Sequence, residues 1–260
     1  MPQRDAAVFT KVFKHRSNPE TQNKMQKVSL VIPVYNEAGL IDSLVRSYYN
    51  RVIKKIPKSE LIVAEDGSSD GTKEILIKLK KDVPFRLVSG KERKGYNKAV
   101  KDALRIPKND IILFSDSSGQ HNPADFFKMA KYIDDYDMVI GYKYLRKDPT
   151  WRVFFSRIYN FLIKIFFGFD VRDINCGFRI IKKKVIDDVL KETGTFKKYC
   201  VFSEFTLRAY KKGYKIKEVP IHHEWRTVGE KKSFSLWNIL KVVLILVLDI
   251  VRLRIVLGKK

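Results

Sequence analysis

Val28-Ser-Leu-Val-Ile-Pro-Val-Tyr-Asn-Glu37, followed by Ala64-Glu-Asp-Gly-Ser-Ser-Asp-Gly-Thr72, decides the fold. Each piece is an apolar run that breaks into a polar turn. The first breaks at Pro33, Tyr35, Asn36 and Glu37; the second runs from Leu61 to Ala64 and breaks at Glu65-Asp66-Gly67-Ser68. A third run, Asp110-Ile-Ile-Leu-Phe-Ser115, ends in Asp116-Ser-Ser-Gly-Gln120. Buried parallel strands that deliver carboxylates at their C-terminal ends build the ligand crevice of an open α/β sheet. Three acidic strand tips point to a nucleotide-plus-metal site.

Outward from these runs the periodicity alternates. The spacing predicts helices near 40–53, 71–81, 97–105 and 123–132, with further strands near 85–88 and 138–140. Strand and helix in alternation with short loops predict a mostly parallel sheet covered by helices. After Gly141 the pattern breaks into a basic loop, an aromatic helix and Asp173-Ile-Asn-Cys-Gly-Phe-Arg179, then a helix near 204–212 and a strand near 216–220. Residues 28–235 read as one α/β domain, with 1–27 a polar, basic and mostly disordered tail without a signal peptide. Residues 236–260 read as a C-terminal membrane-associated helix.

The chain has 260 residues, and its 52 Lys and Arg against 29 Asp and Glu give a net charge of +23. That balance favours an anionic partner, although scattered lysines also suit a solvated surface. No nucleic-acid motif accompanies the charge, so no nucleic-acid partner is expected. Cys176 and Cys200 form no spacing motif, which fits a reduced compartment.

Two stretches are unusually apolar. In Phe154–Phe169, Arg157, Asn160 and Lys164 recur at helical spacing on one face of a Phe-, Ile- and Leu-rich segment. This suits a core helix with one wet stripe or a helix at a lipid interface. Leu236–Leu257 is long enough, at about 33 Å of helix, to cross a bilayer. Asn238, Lys241, Asp249 and Arg252 fall within one sector of roughly 80° at 100° per residue, which suits an interfacial helix. Terminal Lys259-Lys260 fits a cytoplasmic end beside anionic lipid.

Pro33-Val-Tyr-Asn-Glu37, Glu65-Asp-Gly-Ser-Ser-Asp-Gly-Thr72 and Asp116-x-x-x-Gln120 together resemble an inverting family 2 glycosyltransferase of the GT-A fold. Ser156-Arg-x-x-Asn160, Asp173-x-x-x-Gly-Phe-Arg179, Glu218-Val-Pro-Ile221 and Arg226-x-x-Gly-x-x-Lys232 narrow the likeness to dolichyl-phosphate mannose synthases and related polyprenyl-phosphate glycosyltransferases. The resemblance implies transfer of a hexose of the mannose or glucose type from a GDP- or UDP-sugar to a polyprenyl phosphate, with inversion, at the cytoplasmic face of a membrane with an anionic surface. It implies that Pro33, Tyr35, Glu37 and Asp66 hold the nucleoside. It implies that Asp116 and Gln120 hold Mg²⁺ or Mn²⁺, with His121 close by. It places Lys143, Arg157, Arg226 and Lys232 around the donor diphosphate and the acceptor phosphate, with Asp116 and Arg157 carrying the catalytic load. Lys143 stands where the family usually has Arg, Lys231 and Cys176 where Ser is common, and Ser118 replaces the second carboxylate of an Asp-x-Asp pair.

A divalent cation suits the departing diphosphate because it offsets charge as the sugar–oxygen bond breaks, and Mg²⁺ and Mn²⁺ prefer oxygen ligands. Asp116-Ser-Ser-Gly by itself also fits an Asx turn closing a strand. A lipid monophosphate, with a second pKa of about 6, is already largely anionic near neutrality. Such an acceptor needs a cationic cradle rather than a strong general base, and Arg supplies bidentate contacts to it. Two other readings remain: transfer to a saccharide hydroxyl, which a required catalytic carboxylate would favour, and a degenerate nucleotide-sugar- or lipid-binding protein, which donor binding without turnover would favour.

Overall fold

The computed structural model describes residues 26–196, 199–226 and 236–258, with side chains of the last segment from Lys241 onward. The first half alternates as expected: β1 (Val28–Val34), α1 (Ile41–Arg51), β2 (Glu60–Glu65), α2 (Thr72–Leu79), β3 (Arg86–Ser89), α3 (Tyr96–Leu104), β4 (Ile111–Ser115), α4 (Asp125–Ala130) and β5 (Met138–Tyr144). Then come α5 (Thr150–Phe167), β6 (Phe178–Lys182), α6 (Lys183–Val189), α7 (Val201–Lys211), β7 (Ile216–His222) and α8 (Leu236–Gly258). The expectations for residues 1–25, Lys232 and Lys259-Lys260 fall outside the described residues.

The strands form one seven-stranded sheet in the order β3-β2-β1-β4-β6-β5-β7. β1 lies parallel to β2 and β4, β2 to β3, and β5 to β7, whereas β6 runs antiparallel to both β4 and β5. The sheet is therefore mixed but mostly parallel. Every residue of β1 is buried, as a strand covered on both faces requires. The chain goes outward from β1 through β2 to β3, then returns to place β4 on the other side of β1. That reversal opens a crevice at the C-terminal ends of β1 and β4, where such sheets hold ligands.

Strand β6 and helix α6 were not expected from the sequence. Phe178-Arg-Ile-Ile-Lys182 is short and runs directly into Lys183, so neither periodicity nor a turn separates it from the helix that follows. Its place in the sheet comes from pairing with β4 and β5, which lie far away in the chain.

A second apolar cluster joins α5, α7 and α8 through Ile163, Phe167, Leu207, Ile250 and Leu253. It corrects one residue of each amphipathic reading. Asn160 is not on a wet stripe of α5. It is buried, donates to Ser156 O and Arg172 O at 2.9 and 2.7 Å, and accepts from Ile174 N–H at 3.3 Å. Asp249 of α8 is likewise buried beside Ile250, with Arg252 Nη1 at 3.6 Å. The outer faces are apolar instead. Phe154, Ile158, Phe161 and Ile165 form an exposed stripe on α5, and Leu244, Leu248, Val251 and Ile255 form one on α8. Both stripes follow the spacing i, i+4, i+7, i+11. Among the described residues no helix is long and apolar enough to cross a membrane.

Glu204 ties α7 to the loop before it. Its carboxylate, without solvent exposure, accepts from the amides of Gly194, Thr195 and Phe196 at 2.9–3.1 Å and from Arg208 Nε at 2.9 Å. Burial opposes its charge, but those amides and Arg208 outweigh burial and hold its pKa below the ordinary value. A carboxyl with a lowered folded pKa stabilises the fold above its unfolded pKa and loses that contribution as pH falls through the folded value. Glu204→Ala should therefore lower the stability measured by urea unfolding by about 3–5 kcal/mol at neutral pH, with the deficit shrinking under acid. An unchanged midpoint would remove this network from the account of stability.

Candidate active site

The β1 and β2 tips interlock before they meet any ligand. Asp66 N–H donates to Val34 O at 2.9 Å. Asn36, at φ +53°, donates its amide to Ser68 Oγ and accepts from Ser69 N–H, both at 3.0 Å. Glu37 N–H reaches Thr72 Oγ1 at 2.9 Å, and Ala38 N–H reaches Asp70 Oδ2 at 3.0 Å. Glu65 takes part in holding this frame, bonding to Ser68 N–H and, at 2.7 Å, to Ser89 Oγ–H. Gly67, at φ +69°, lies so close to the Glu92 and Arg93 backbone that a Cβ there would come within 2.5 Å of it.

Between the β1 and β4 tips lies a cleft of about 270 Å³ lined by Pro33, Tyr35, Glu37, Asp66, Asp116 and Arg226, with Arg93, Tyr96 and Ser118 beside them. Six of the expected site residues thus share one wall system. A larger hollow of about 580 Å³ lies by the N-terminal ends of β2 and β3, beside Lys54, Lys58 and Arg86, and has only Glu60 as an acid. Of the strand-tip carboxylates, Glu37, Asp66 and Asp116 line the smaller cleft, while Glu65 is held in the frame behind it.

Asp116 is the pivot of that cleft. Its Oδ1 accepts from Ser118 Oγ–H at 2.6 Å and Ser118 N–H at 3.2 Å, so the Asx turn is real. Its amide donates to Gly177 O at 3.1 Å, and a side chain at Gly177 would collide with Oδ2. Burial opposes ionisation of Asp116. The His121 imidazole, the Ser118 hydrogen bonds and the Lys143 cation outweigh burial and keep its pKa below the ordinary value. An ionised carboxylate facing a cleft is a fit ligand for a hard divalent cation. Among the described residues no three His, Cys, Asp or Glu side chains converge to hold a metal unaided. A bound cation there would need water or diphosphate oxygens to complete its shell, the usual arrangement for Mg²⁺.

The remaining expected residues are spread around this centre. Segment 120–121 pairs with 223–224: His121 bridges His223, and Glu224 N–H donates to Gln120 O at 2.9 Å. This pairing carries the chain beyond β7 across to β4 and delivers Arg226 to Glu37, where Nη2 lies 2.9 Å from both carboxylate oxygens. Burial raises the Glu37 pKa, and Arg226 offsets only part of that effect. Gln120 Nε2 donates to Glu224 O at 3.2 Å and meets His223 Nε2 at 3.2 Å, so its amide nitrogen is turned toward β7. Lys143, on β5, is near enough to influence Asp116, His121 and Asp148. Asp66 accepts from the amides of Lys94 and Gly95 at 3.0 and 3.2 Å. Arg157 is exposed on α5 and is not among the residues that line the cleft.

Three features were missed in the sequence. Arg93 lies over the Tyr35 ring at 4.2 Å, placing a cation at the Tyr35 end of the cleft. The run Lys91-Glu-Arg-Lys94 was its only signal. Arg146 grips the nearly buried Asp148 at 2.8 Å and reaches Ser156 Oγ on α5 at 2.8 Å. Arg179 lies fully buried, donating to Ile174 O, Cys176 O and Thr206 Oγ1 with its guanidinium 3.9 Å from the Phe202 ring centroid.

A family model described as glycosyl transferase family 2 matches residues 29–190. An undecaprenyl-phosphate 4-deoxy-4-formamido-L-arabinose transferase of Salmonella choleraesuis is 28% identical over 213 residues, covering 80% of this chain and 63% of the relative. Glycosyltransferase AglD of Haloferax volcanii is 27% identical over 215 residues, covering 79% of this chain and 34% of the relative. The chain thus spans less than two thirds of the length of these curated relatives. Glucosyl-3-phosphoglycerate synthase from Mycobacterium tuberculosis, solved with Mn²⁺, UDP and phosphoglyceric acid, superposes with a TM-score of 0.68 at 18% identity, over 93% of this chain and 84% of that one. At that identity the likeness is one of fold, and it establishes the GT-A-like architecture.

Gly177 offers a test of Asp116 that leaves its chemistry unchanged and alters only its position. Gly177→Ala should push the Asp116 carboxyl out of position and weaken Mn²⁺ binding in the presence of UDP about 10–100-fold, as loss of a supporting contact does at metal sites. Isothermal titration reads this directly; unchanged affinity would mean that the Asp116 carboxylate does not bind the cation.

Proposed function

The chain belongs to glycosyl transferase family 2, and we propose that this glycosyltransferase moves a hexosyl group from a nucleotide sugar to a polyprenyl phosphate, with inversion. The observation that carries the reading is the coupling of the cleft to an apolar-faced helix. Gly177 touches Asp116, and the turn before it is pinned by Asn160 of α5, whose outer face is the Phe154–Ile165 stripe. A lipid-borne acceptor lying along that stripe would have its headgroup held by the same structure that places the donor. The names of the undecaprenyl-phosphate relatives support that acceptor class, and the UDP and Mn²⁺ of the solved neighbour support a nucleoside-diphosphate donor with a divalent cation.

In this reading Pro33, Tyr35, Glu37 and Asp66 enclose the nucleoside, and Arg93 stacks on Tyr35 at its edge. Asp116 and Gln120 would hold Mg²⁺ or Mn²⁺, which supplies charge compensation for the diphosphate. Lys143 and Arg226 flank the diphosphate. Arg226 exchanges its contact with Glu37 for one with phosphate. Arg157 meets the acceptor phosphate from the lipid side. An acceptor oxygen attacks the anomeric carbon from the face opposite the diphosphate, the carbon–oxygen bond to the diphosphate breaks, and the configuration inverts. The acceptor is already anionic, so no side chain has to remove a proton at that step.

Purified full-length protein, given a panel of UDP- and GDP-sugars and a short polyprenyl phosphate with Mn²⁺, should form glycosyl-phosphoryl lipid. EDTA or Asp116→Ala should abolish the product. Arg157→Ala and Arg226→Ala should each lower kcat/KM for the lipid by removing a charge-assisted contact, about 1.5–3 kcal/mol. Equal transfer to a neutral saccharide would transfer the assignment to the hydroxyl-acceptor reading, and donor binding without any turnover to the binding-protein reading.

The stripes on α5 and α8 belong to two helices packed on each other, and Arg152, Arg157, Lys164, Lys241, Arg252 and Arg254 lie along them. Exposed aromatic and aliphatic rows fringed by cations match an anionic bilayer surface. We place the protein on the cytoplasmic face of a membrane through this double helix face. It should sediment with anionic vesicles, with salt weakening but not abolishing binding. Leu244→Glu with Leu248→Glu should release it while leaving UDP binding intact. A wild-type protein that ignores vesicles and instead forms a discrete dimer in solution would make the stripes a protein interface.

A further inference from the structure

We propose that His121 is a cation ligand acting with Asp116, in the position that Ser118 leaves without a carboxylate; this rests on the reading that Asp116 binds a divalent cation. His121 has 2% side-chain exposure, and neither ring nitrogen has a hydrogen-bond partner. Buried imidazoles ordinarily satisfy at least one nitrogen, so two unsatisfied ones on one ring require a reason. The ring packs tilted against Phe178, 5.4 Å between centroids, and Nδ1 lies 3.5 Å from Asp116 Oδ1. Two ligands about 2.1 Å from one ion are separated by about 3.0 Å at a right angle and about 3.4 Å at a tetrahedral one. The observed spacing is close to that range.

Ser118 cannot fill the gap as a carboxylate would. Its hydroxyl donates to Asp116 Oδ1 at 2.6 Å, so it braces the carboxylate rather than presenting an anion to the cleft. Asp173, whose Oδ2 is also buried without a partner, adds negative potential on the imidazole's side. In its neutral form the imidazole has a ring-nitrogen lone pair to donate to a cation. An imidazole in the shell changes the preference of the site. Carboxylate and water suit Mg²⁺ and Mn²⁺ alike, whereas nitrogen ligation favours first-row transition cations. Mn²⁺ and Co²⁺ should therefore bind more tightly than Mg²⁺.

Pulsed EPR of the full chain with Mn²⁺ and UDP tests the proposal. The chain has four histidines, so ¹⁵N-histidine labelling identifies imidazole coupling without ambiguity from other nitrogens. Coupling to labelled imidazole is expected, persisting in His223→Gln and absent in His121→Phe. His121→Phe should weaken Mn²⁺ binding about tenfold or more, and Ser118→Asp added to it should restore affinity. Mn²⁺ binding that Asp116→Ala removes but that has no imidazole coupling overturns the role of His121 and leaves the cation reading intact. Coupling that vanishes in His223→Gln overturns it too. No Mn²⁺ binding with UDP overturns both. Should His121→Phe fail to fold, coupling in the wild type and in His223→Gln still decides.

Discussion

The return of β6 against the end of β4 is the constraint on which the site depends. It brings Gly177 O onto the Asp116 amide and leaves room at position 177 for no side chain larger than hydrogen. A buried cation holds the turn that makes this approach. Among the described residues no carboxylate pairs with Arg179; it is satisfied by two carbonyls of the 174–176 turn, a Thr206 hydroxyl and the Phe202 ring. Burial lowers its pKa to about 10, still far above neutrality, so it stays charged. Burying a cation is costly, and the cost is tolerable because several oxygens share the charge. The same turn accepts Asn160 from α5 and Glu218 from β7, so β4, α5 and β7 all converge on it.

The site divides along the sheet. On one side, β1 and β2 build a rigid polar frame from short local contacts: Asn36 with Ser68 and Ser69, Asp70 with Ala38 and Thr72. On the other, β5, β7 and α5 contribute cations on longer reaches, including Lys143, Arg146 and Arg226. The proposed donor, with a neutral nucleoside and a charged diphosphate, would use that division. The frame sets position through hydrogen bonds, and the opposite wall compensates charge.

The legible part of the structure was local. β1, β2 and β4 announced themselves because a strand buried on both faces must be apolar throughout, and their tips carried the turn residues in plain sequence. The glycosyltransferase family, now established, followed from those tips. What stayed hidden depended on distant partners. β6 is a strand only because β4 and β5 flank it. Asn160 looked like a surface residue by spacing, since nothing local reveals that Arg172 and Ile174 return to cover it. The meeting of Arg226 with Glu37 depends on the pairing of 120–121 with 223–224. On α8 the wheel put Asp249 in one sector with Lys241 and Arg252, yet those two are exposed and Asp249 is buried. Packing against α5 and α7 draws Asp249 and Leu253 inward and leaves Leu244 and Leu248 outside.

Charge balance gives Ser118 a physical meaning. Of the carboxylates around the cleft, Asp66 is occupied by two backbone amides and Glu37 by Arg226, which leaves Asp116 as the acid whose charge faces the ligand with only a hydroxyl and an amide on it. A second aspartate at 118 would place two anions beside a diphosphate and depend on a tightly bound cation to keep them together. With serine there, Lys143 and Arg226 already lean the cleft toward the anion, and a cation has less repulsion to cancel. In the proposed transfer, His121 would add ligand strength without adding negative charge. The cleft would thereby favour the diphosphate as charge accumulates on it, which is where electrostatic stabilisation has its effect on rate.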